Sequence, residues 1–543
     1  MDKSASVLVG TTEDVIIRTA PLGGSALSRA IQQGAVGASW YAPRPKDVAG
    51  WRAHADGVRA SFKGRDWLAA LRPAFAADGL TVGGAAGDRL GRAARDGVLV
   101  TTGQQPGLFG GPTYTWSKAM SALAMADVLE AELGIPVAPV FWAATDDADW
   151  IEAAVTYLAT STGLERVALT GPATDGVAMA DVLMGDLDGA LAQFARACGS
   201  GAHASVLDVI HSAYTQHATI GAAYVVLMRA LLEPLGMAVL DAAHPATRTA
   251  ADPFLRTALQ HAPAVLHALQ SRSLAITAAG HDPQVDIVDG LSLVFRTDSD
   301  KARTRVPVSE AADAARSAPV GSLGANVLLR PVLERALLPT VCYLAGPGEF
   351  AYFAQVSPVA EALGAAAPVV APRWAAEVLE AESIERQVHL GLSDDHLRDP
   401  HAAEQVVARA QLDDTVADAV ERLRVTMESQ LASLGESLRV PEGDVEDDAV
   451  VAASVVQGLE RDITHLLDRF ERRLLAGVKR REHTAMREVA SVRAALRPLG
   501  QPPERVLNLV PLLVRYGPSL LDRLRDAAMG HAHALVTGAS GHS

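Results

Sequence analysis

The stretch VLVTTGQQPGLFGGPTYTWSK, residues 98–118, decides the fold. Val98 to Thr102 is a short β-branched run of the kind that fills a buried strand. It empties into a loop carrying Gly103, Gly107, Gly110 and Gly111, and the helix-forming run SKAMSALAMADVLEAEL (117–133) follows. Strand, glycine-rich turn and helix is the order that aims backbone N–H groups and a positive helix end at an anion. Gln104 and Gln105 add side-chain donors, and Lys118 adds a fixed charge. The glycine spacing is neither GxGxxG nor GxxxxGK[ST], so no standard phosphate-loop motif applies. A second reading stands beside the anion site: a tight turn that needs glycine for positive φ.

Four more segments read as buried strands, each short, apolar and bounded by Gly or Pro: 136–145, 236–243, 339–346 and 367–373. Helical runs such as 225–235 and 353–364 lie between them. Buried strands alternating with helices predict an α/β protein with a parallel sheet covered on both faces, and such sheets bind ligands at the carboxyl ends of their strands. Intervals of about 90 residues separate the second strand from the third and the third from the fourth, far beyond an ordinary connection. They predict two inserted connecting subdomains, at about 155–235 and 245–335, with strands of their own at 164–172 and 284–296.

The texture changes after Asp399-Pro400. Leu412, Val416, Val420, Leu423, Met427, Leu431 and Leu434 recur at spacings of 3 and 4. After a polar break at 439–448, Val455, Leu459, Ile463, Leu466, Phe470, Leu474 and Val478 repeat the pattern, which runs on to Leu496. This predicts an antiparallel α-helical coiled-coil hairpin over 400–499. A helical tail, 500–543, is expected to pack back on the core of residues 1–399.

The composition narrows the function. A net charge of −15 argues against nucleic acid as the main partner, because phosphate backbones want a basic face. No segment approaches the apolar length of a membrane span, and the N-terminus lacks the apolar run of a signal peptide. Cys198 and Cys342 form no CxxC and no zinc spacing, which fits a reducing, cytoplasmic setting and no bound metal. HExxH, HxxEH and GxSxG are absent, so the usual marks of zinc and serine hydrolases are missing.

Two further groups carry candidate chemistry. Asp146, Asp147 and Asp149 follow the second strand, where close carboxylates suit Mg²⁺, an amine or a hydroxylated substrate. The plain reading is a helix start with Asp favoured by the dipole. Asn326 and Arg330 precede the fourth strand, and Glu349, Tyr352 and Gln355 share a helical face after it. Arg330 suits a carboxylate or phosphate; the plain reading makes it a salt bridge. His281, in the loop AAGHDP, is a weaker candidate.

These segments together resemble the BshC family of bacillithiol biosynthesis. VTTGQQPGLFGGPTYTWSK (100–118) is similar to the family's TGQQxGLxxGPxxxxxK segment, and APVFWAATDDADW (138–150) to its PVFWxASEDHD segment. NVLLRPVLERALLPTVCYLAGPGEFAYFAQ (326–355) is similar to NxxLRPxxQdxLLPTxxYxxGPxExxYxxQ. The match extends to AAGHDPQV (278–285) and ERVLNLVPLLVRYGP near the end, in the same order over nearly the whole chain. The resemblance implies a Rossmann-like core with two inserts and a C-terminal coiled coil that pairs two chains into a homodimer. It implies a ligase that adds L-cysteine to glucosaminyl-malate, with ATP, and Mg²⁺ accompanying it, activating the cysteine carboxylate. Lys118, Asp146, Asp147 and Asp149 then become the catalytic candidates. Gly103, Gln104, Gln105 and Gly107 become the nucleotide or anion site, and Asn326, Arg330, Glu349, Tyr352, Gln355 and His281 the substrate site. One departure stands out: Ala148 occupies the place of the family's His, and Asp146 that of its Glu. A dimeric nucleotide- or substrate-binding scaffold without catalysis is the alternative, because no HxGH or KMSKS adenylation signature is present. A third reading is a nucleotidyltransferase acting on another sugar.

Overall fold

A computed structural model describes residues 14–76, 83–171, 176–299, 301–438 and 453–538. They form two compact units. The first comprises the described residues up to Leu158, Glu165–Val378, and those from Pro503 onward; the second comprises Ala159–Leu164 and Leu379–Pro502. The division falls at Leu379, ahead of the change in texture at Asp399.

The first unit is built on five strands: β1 (Val98–Gln104), β2 (Val137–Ala143), β3 (Ala238–Asp241), β4 (Thr340–Ala345) and β5 (Val370–Pro372). Their order in the sheet is β5-β4-β1-β2-β3 and every pairing is parallel. These are the five runs that the sequence marks as buried strands. β1 and β2 pair without a slip from Val98↔Val137 to Gln104↔Ala143, and both are buried along almost their whole length. Strand order reverses direction between β1 and β4, which opens a crevice at their carboxyl ends.

Helix α1 (Thr113–Leu133) returns from β1 and is buried on nearly every side. Its alanines let the sheet approach from one side and the C-terminal helix Ser519–Thr537 from the other. A helix apolar all round belongs inside a core. Arg525 of the C-terminal helix adds an ion pair to Asp127 at 2.5 Å. Helix α2 (Arg330–Leu337) leads into β4, and helix α3 (Pro347–Ala362) leaves it.

The first insert holds the hairpin Val155–Thr160 and Gly163–Ala168, in the region marked as a strand at 164–172, of which residue 172 lies outside the described residues. The second insert holds helices Pro245–Gln260 and Ala262–Ala278 and a three-stranded antiparallel sheet. Its strand is shorter than the expected 284–296: it starts at Leu291, after Gly290 turns at φ 75°. Residues 284–290 stay irregular because Gln355 takes the backbone N–H and C=O of Val285.

In the second unit, Asp414–Ser437 and Ala453–Arg481 are the long helices of the hairpin. Arg424 bridges Asp468 and Glu471 at 3.0 Å each, and Lys479 reaches Glu404 at 2.8 Å, an antiparallel register. The expected polar break at 439–448 lies outside the described residues. Each expected long run is interrupted once. Asp413 caps a fresh helix start through Thr415 N–H, and the second run restarts at His483.

Candidate active site

The loop after β1 is fixed by close approach. A Cβ on Gly103 would lie 2.7 Å from the Trp142 carbonyl oxygen, and one on Gly107 2.6 Å from the Gly111 Cα. Phe109 holds a left-handed φ of 52° without being glycine. Its ring packs 4.3 Å from Phe194 and 4.8 Å from Tyr214, centroid to centroid. The Asn508 amide donates to the carbonyls of Leu108 (3.3 Å) and Phe109 (3.0 Å). The first turn of α1 does not wait for an anion: Thr113 N–H donates to the Leu507 carbonyl at 2.8 Å. Gly107 takes no part in the cavity described below; its carbonyl faces the Tyr214 hydroxyl.

Lys118 is buried beneath the carboxyl end of β1. Its ammonium donates to the Gly103 carbonyl (2.9 Å) and to Gln104 Oε1 (2.7 Å), and pairs with Glu349 Oε2 at 2.6 Å. Those three partners account for its three N–H donors. Burial pulls its pKa below the ordinary lysine value, and Glu349 opposes that pull. Glu349 also accepts from the Tyr343 hydroxyl and from Gly346 N–H, each at 2.7 Å, and so caps α3. From Gln104 the network continues through the Tyr114 hydroxyl (3.3 Å) to Glu152 (2.8 Å), which also accepts from Gln105 Nε2 at 2.5 Å. Burial raises the Glu152 pKa, with the Tyr114 hydrogen bond pulling the other way.

The three aspartates after β2 take separate roles. Asp149 is exposed and caps the short helix Trp150–Ala153 through Glu152 N–H at 3.0 Å. Asp147 accepts from Ala148 N–H at 2.7 Å, and its other oxygen lies 3.4 Å from Arg330 Nη2. Asp146 Oδ1 is buried without a hydrogen-bond partner among the described residues. It lies in a small cavity of about 30 Å³ that Arg303 and Arg330 also line. Arg303 donates to the Asp146 carbonyl. Three carboxylates with three sets of partners do not form a chelating cluster. Among the described residues no group of three or more His, Cys, Asp or Glu side chains is placed to hold a metal.

Beside this lies a cavity of about 110 Å³ at the switch between β1 and β4. Gln104, Gln105, Asp147, Arg330, Glu334, Tyr343, Glu349 and Tyr352 line it. Glu334 follows Arg330 by one helical turn on α2 and is 3% exposed. Burial pushes its carboxyl up to about 8, Glu349 adds to the rise, and Thr101 and Arg330 oppose it. Arg330 keeps its Nε buried and without a hydrogen bond. An unpartnered guanidinium N–H, two amide side chains and a carboxyl that titrates near neutrality suit a small molecule bearing an anionic group and an amine.

The structure therefore brings Gly103, Gln104, Gln105, Lys118, Asp147, Arg330, Glu349 and Tyr352 together, with Asp146 next door. It leaves others outside. Asn326 Oδ1 caps the entry to α2 through the N–H groups of Leu328 and Leu329. Gln355 is fully buried against Val285, and His281 does not line the cavity. Glu152, Glu334, Tyr114 and Tyr343 are functional neighbours that the sequence reading missed. The spacing of Arg330 and Glu334 at i, i+4 was the available signal for one of them.

The donor set fits the phosphate of a nucleotide in part. Arg330, Gln104 and Gln105 line the right crevice, with each glutamine amide already giving one hydrogen bond, to Tyr114 and to Glu152. Lys118 and the first amide of α1 are committed to protein acceptors.

A five-stranded parallel sheet in this order, with a buried polar site at its switch point and a helical hairpin unit, defines a Rossmann-type α/β protein with a coiled-coil appendage. Residues 77–374, more than half of the chain, match the family described as bacillithiol biosynthesis BshC, N-terminal Rossmann-like domain. Residues 448–536 match the C-terminal coiled-coil domain of the same family. The chain belongs to the BshC family. It is similar to proteins named "Putative cysteine ligase BshC" from several bacteria. The relative from Solibacter usitatus is 29% identical over 81% of this chain and 84% of its own length. That from Koribacter versatilis is 29% identical over 80% and 83%, and that from Salinibacter ruber 27% over 82% of each. No described helix is long and apolar enough to cross a membrane.

Proposed function

We propose that this chain is an ATP-dependent amide-forming ligase that joins the carboxyl of L-cysteine to the amine of glucosaminyl-malate, giving bacillithiol. The observation that carries the reading is Glu334, a buried carboxyl with a pKa of about 8 one turn from Arg330 in the switch-point cavity. An amine arrives largely as ammonium near neutral pH and must lose a proton to attack. A carboxyl titrating near 8 is mostly protonated near neutrality; its ionised fraction, which grows as pH rises toward 8, takes that proton. Arg330 binds a carboxylate of the substrate, its Nε supplying an N–H that no described protein group uses.

ATP would supply a leaving group on the cysteine carboxyl, with Mg²⁺ entering only as the counter-ion of the nucleotide. Once ionised Glu334 has taken the ammonium proton, the amine nitrogen bonds to the acyl carbon, the leaving group departs with its electron pair, and the proton released as the amide forms leaves with that departing phosphate group. Gln104 and Gln105 orient the acyl oxygen or the phosphate. Lys118 acts as a positioning residue that fixes Gln104 and the Gly103 carbonyl, rather than as a charge offered to substrate. Asp147 holds Arg330 in place.

Cytoplasmic action belongs to the same proposal, supported by two free, buried cysteines. So does a homodimer formed through the hairpin, whose Leu423, Leu434, Leu459, Leu466 and Phe470 are each more than two-fifths exposed. The competing reading, a dimeric scaffold that binds without catalysis, draws on one observation: Lys118 and the α1 terminus are committed to protein acceptors.

The deciding test incubates purified protein with ATP, cysteine and glucosaminyl-malate and follows bacillithiol by thiol labelling. Product formation that needs all three, with AMP or ADP released in step, is expected. Binding of glucosaminyl-malate without product would instead favour the scaffold.

A further inference from the structure

At the opposite end of the same sheet, before the amino ends of β1 and β4, lies a second cleft of about 510 Å³. Its walls come from the end of helix Val48–Phe62, the start of helix Trp67–Phe75, the end of helix Gly84–Asp96, and the two residues Gly97 and Pro339 that lead into the strands. A volume of this size suits a small molecule.

The charge in this cleft is unbalanced. Arg59 is matched by Asp56 at 3.1 Å and by Asp96, which uses both acidic side chains of the cleft. Lys63, Arg65 and Arg95 also line it and are exposed. None of the three has a carboxylate partner among the described residues.

Arg335 supplies the second, independent observation. It is only 8% exposed, yet among the described residues its guanidinium has neither an ion pair nor a hydrogen bond. Its guanidinium carbon sits 5.5 Å from the centroid of the Phe62 ring, and that of Arg65 sits 5.2 Å from the same centroid. Phe62 is a wall of the cleft, so the two cations share one ring at its edge. Burial and the nearby Arg65 both disfavour the charge on Arg335. The ring offsets part of the cost of a buried cation, and a bound anion would offset more. A chain with a net charge of −15 has no general reason to gather four unpaired cations in one place.

We infer that this cleft is a binding site for a small phosphate-bearing polyanion, held by Arg65, Arg95 and Lys63 and separate from the switch-point cavity, with the charge of Arg335, which packs on the Phe62 wall without lining the cleft, adding to its field. The same chemistry is offered by free pyrophosphate and by the phosphate chain of a nucleotide. Trp67, a further wall of the cleft, is placed to distinguish them through its indole.

The test is calorimetric titration of pyrophosphate, and separately of ATP, into the full-length protein and three variants. R65Q/R95Q alters only exposed side chains and is expected to fold normally. R335M removes the buried cation, and R330K changes the switch-point cavity alone. Pyrophosphate should bind wild type and R330K alike, with affinity that falls as salt rises, and bind R65Q/R95Q at least about 10-fold more weakly. R335M should melt at a higher temperature than wild type without ligand and gain less from pyrophosphate. ATP binding that R65Q/R95Q loses and pyrophosphate fails to reproduce would also support the site and assign it to nucleotides. Equal affinity in wild type and R65Q/R95Q for both probes, or no binding of either at millimolar concentration, would overturn the inference.

Discussion

The Lys118 ammonium lies 2.6 Å from Glu349 Oε2, and this single contact ties the helix after β1 to the helix after β4 across the switch in strand order. Lys118 is 4% exposed, so neither group can be removed without leaving the other poorly solvated. Removing one partner of a buried pair costs about 3–5 kcal/mol, while replacing both by neutral groups costs much less. Lys118→Met and Glu349→Gln should therefore each lower unfolding stability by at least about 2 kcal/mol. The double variant should fall well short of their sum, with a coupling of about 1–3 kcal/mol. Urea denaturation of the four proteins measures this, and strict additivity would sink the idea.

Glu334 makes stability depend on pH in a definite direction. Between the ordinary carboxylate range and about 8, the folded chain keeps a proton that the unfolded chain has released. The contribution is complete below the unfolded value and is lost as pH rises through about 8. A tenfold difference in proton affinity between the folded and unfolded chains corresponds to about 1.4 kcal/mol, so the loss by pH 9 amounts to several kcal/mol. Glu334→Gln imitates the protonated form and removes this dependence. It should match wild type near pH 5 and exceed it at pH 9. Parallel stability curves for the two proteins from pH 5 to 9 would contradict the assignment.

Much of the fold is written in short runs of sequence. Val98–Gln104 and Val137–Ala143 are strands buried almost throughout, and such strands read as unbroken apolar segments bounded by Gly or Pro. The glycine loop was legible as a special turn, and Lys118 as a charge out of place in an apolar helix. Partners were not legible. The sequence shows Asp149 beside two other aspartates, but only the chain path shows that it caps Trp150 while Asp147 turns to Arg330. Glu152 and Glu334 look like ordinary helix-surface glutamates. Their altered acidity comes from burial by segments far away in sequence, which no local pattern encodes. Arg65 and Arg335 are likewise 270 positions apart and meet only at the Phe62 ring.

Arg330 separates binding from chemistry in the proposed reaction. Arg330→Lys keeps a positive charge but loses the planar fork and the open Nε, so it keeps only a point charge for a carboxylate. The KM for glucosaminyl-malate should rise at least about 10-fold with a smaller change in kcat. Glu334→Gln should show the reverse pattern, a fall in kcat with KM nearly kept, because it removes the proton acceptor. Steady-state kinetics of the two variants decide it; an unchanged KM in Arg330→Lys would remove Arg330 from the substrate site.

Asn508 holds the glycine loop from outside. Its amide donates to the carbonyls of Leu108 and Phe109 and to Thr156 Oγ1, and its oxygen accepts from Val510 N–H at 2.8 Å. Phe109 sits in the left-handed region, a conformation that costs a non-glycine residue about 1 kcal/mol or more and persists only when its surroundings impose it. Asn508→Ala leaves the Phe109 carbonyl and the Val510 amide without their Asn508 partner and takes one of two donors from the Leu108 carbonyl, which keeps Gly111 N–H; it should cost about 2–4 kcal/mol. Asn508→Asp keeps the acceptor for Val510 but sets a carboxylate oxygen against both carbonyls, so it should be no better than Ala. Both changes should speed hydrogen exchange at Gly110 and Gly111, whose N–H groups bond within the loop to Gly107 and Leu108. They should leave exchange in the helix Asp414–Ser437 unchanged, since it belongs to the other unit. Uniform acceleration across both units would mean that Asn508 contributes to global stability alone and does not set the shape of the loop.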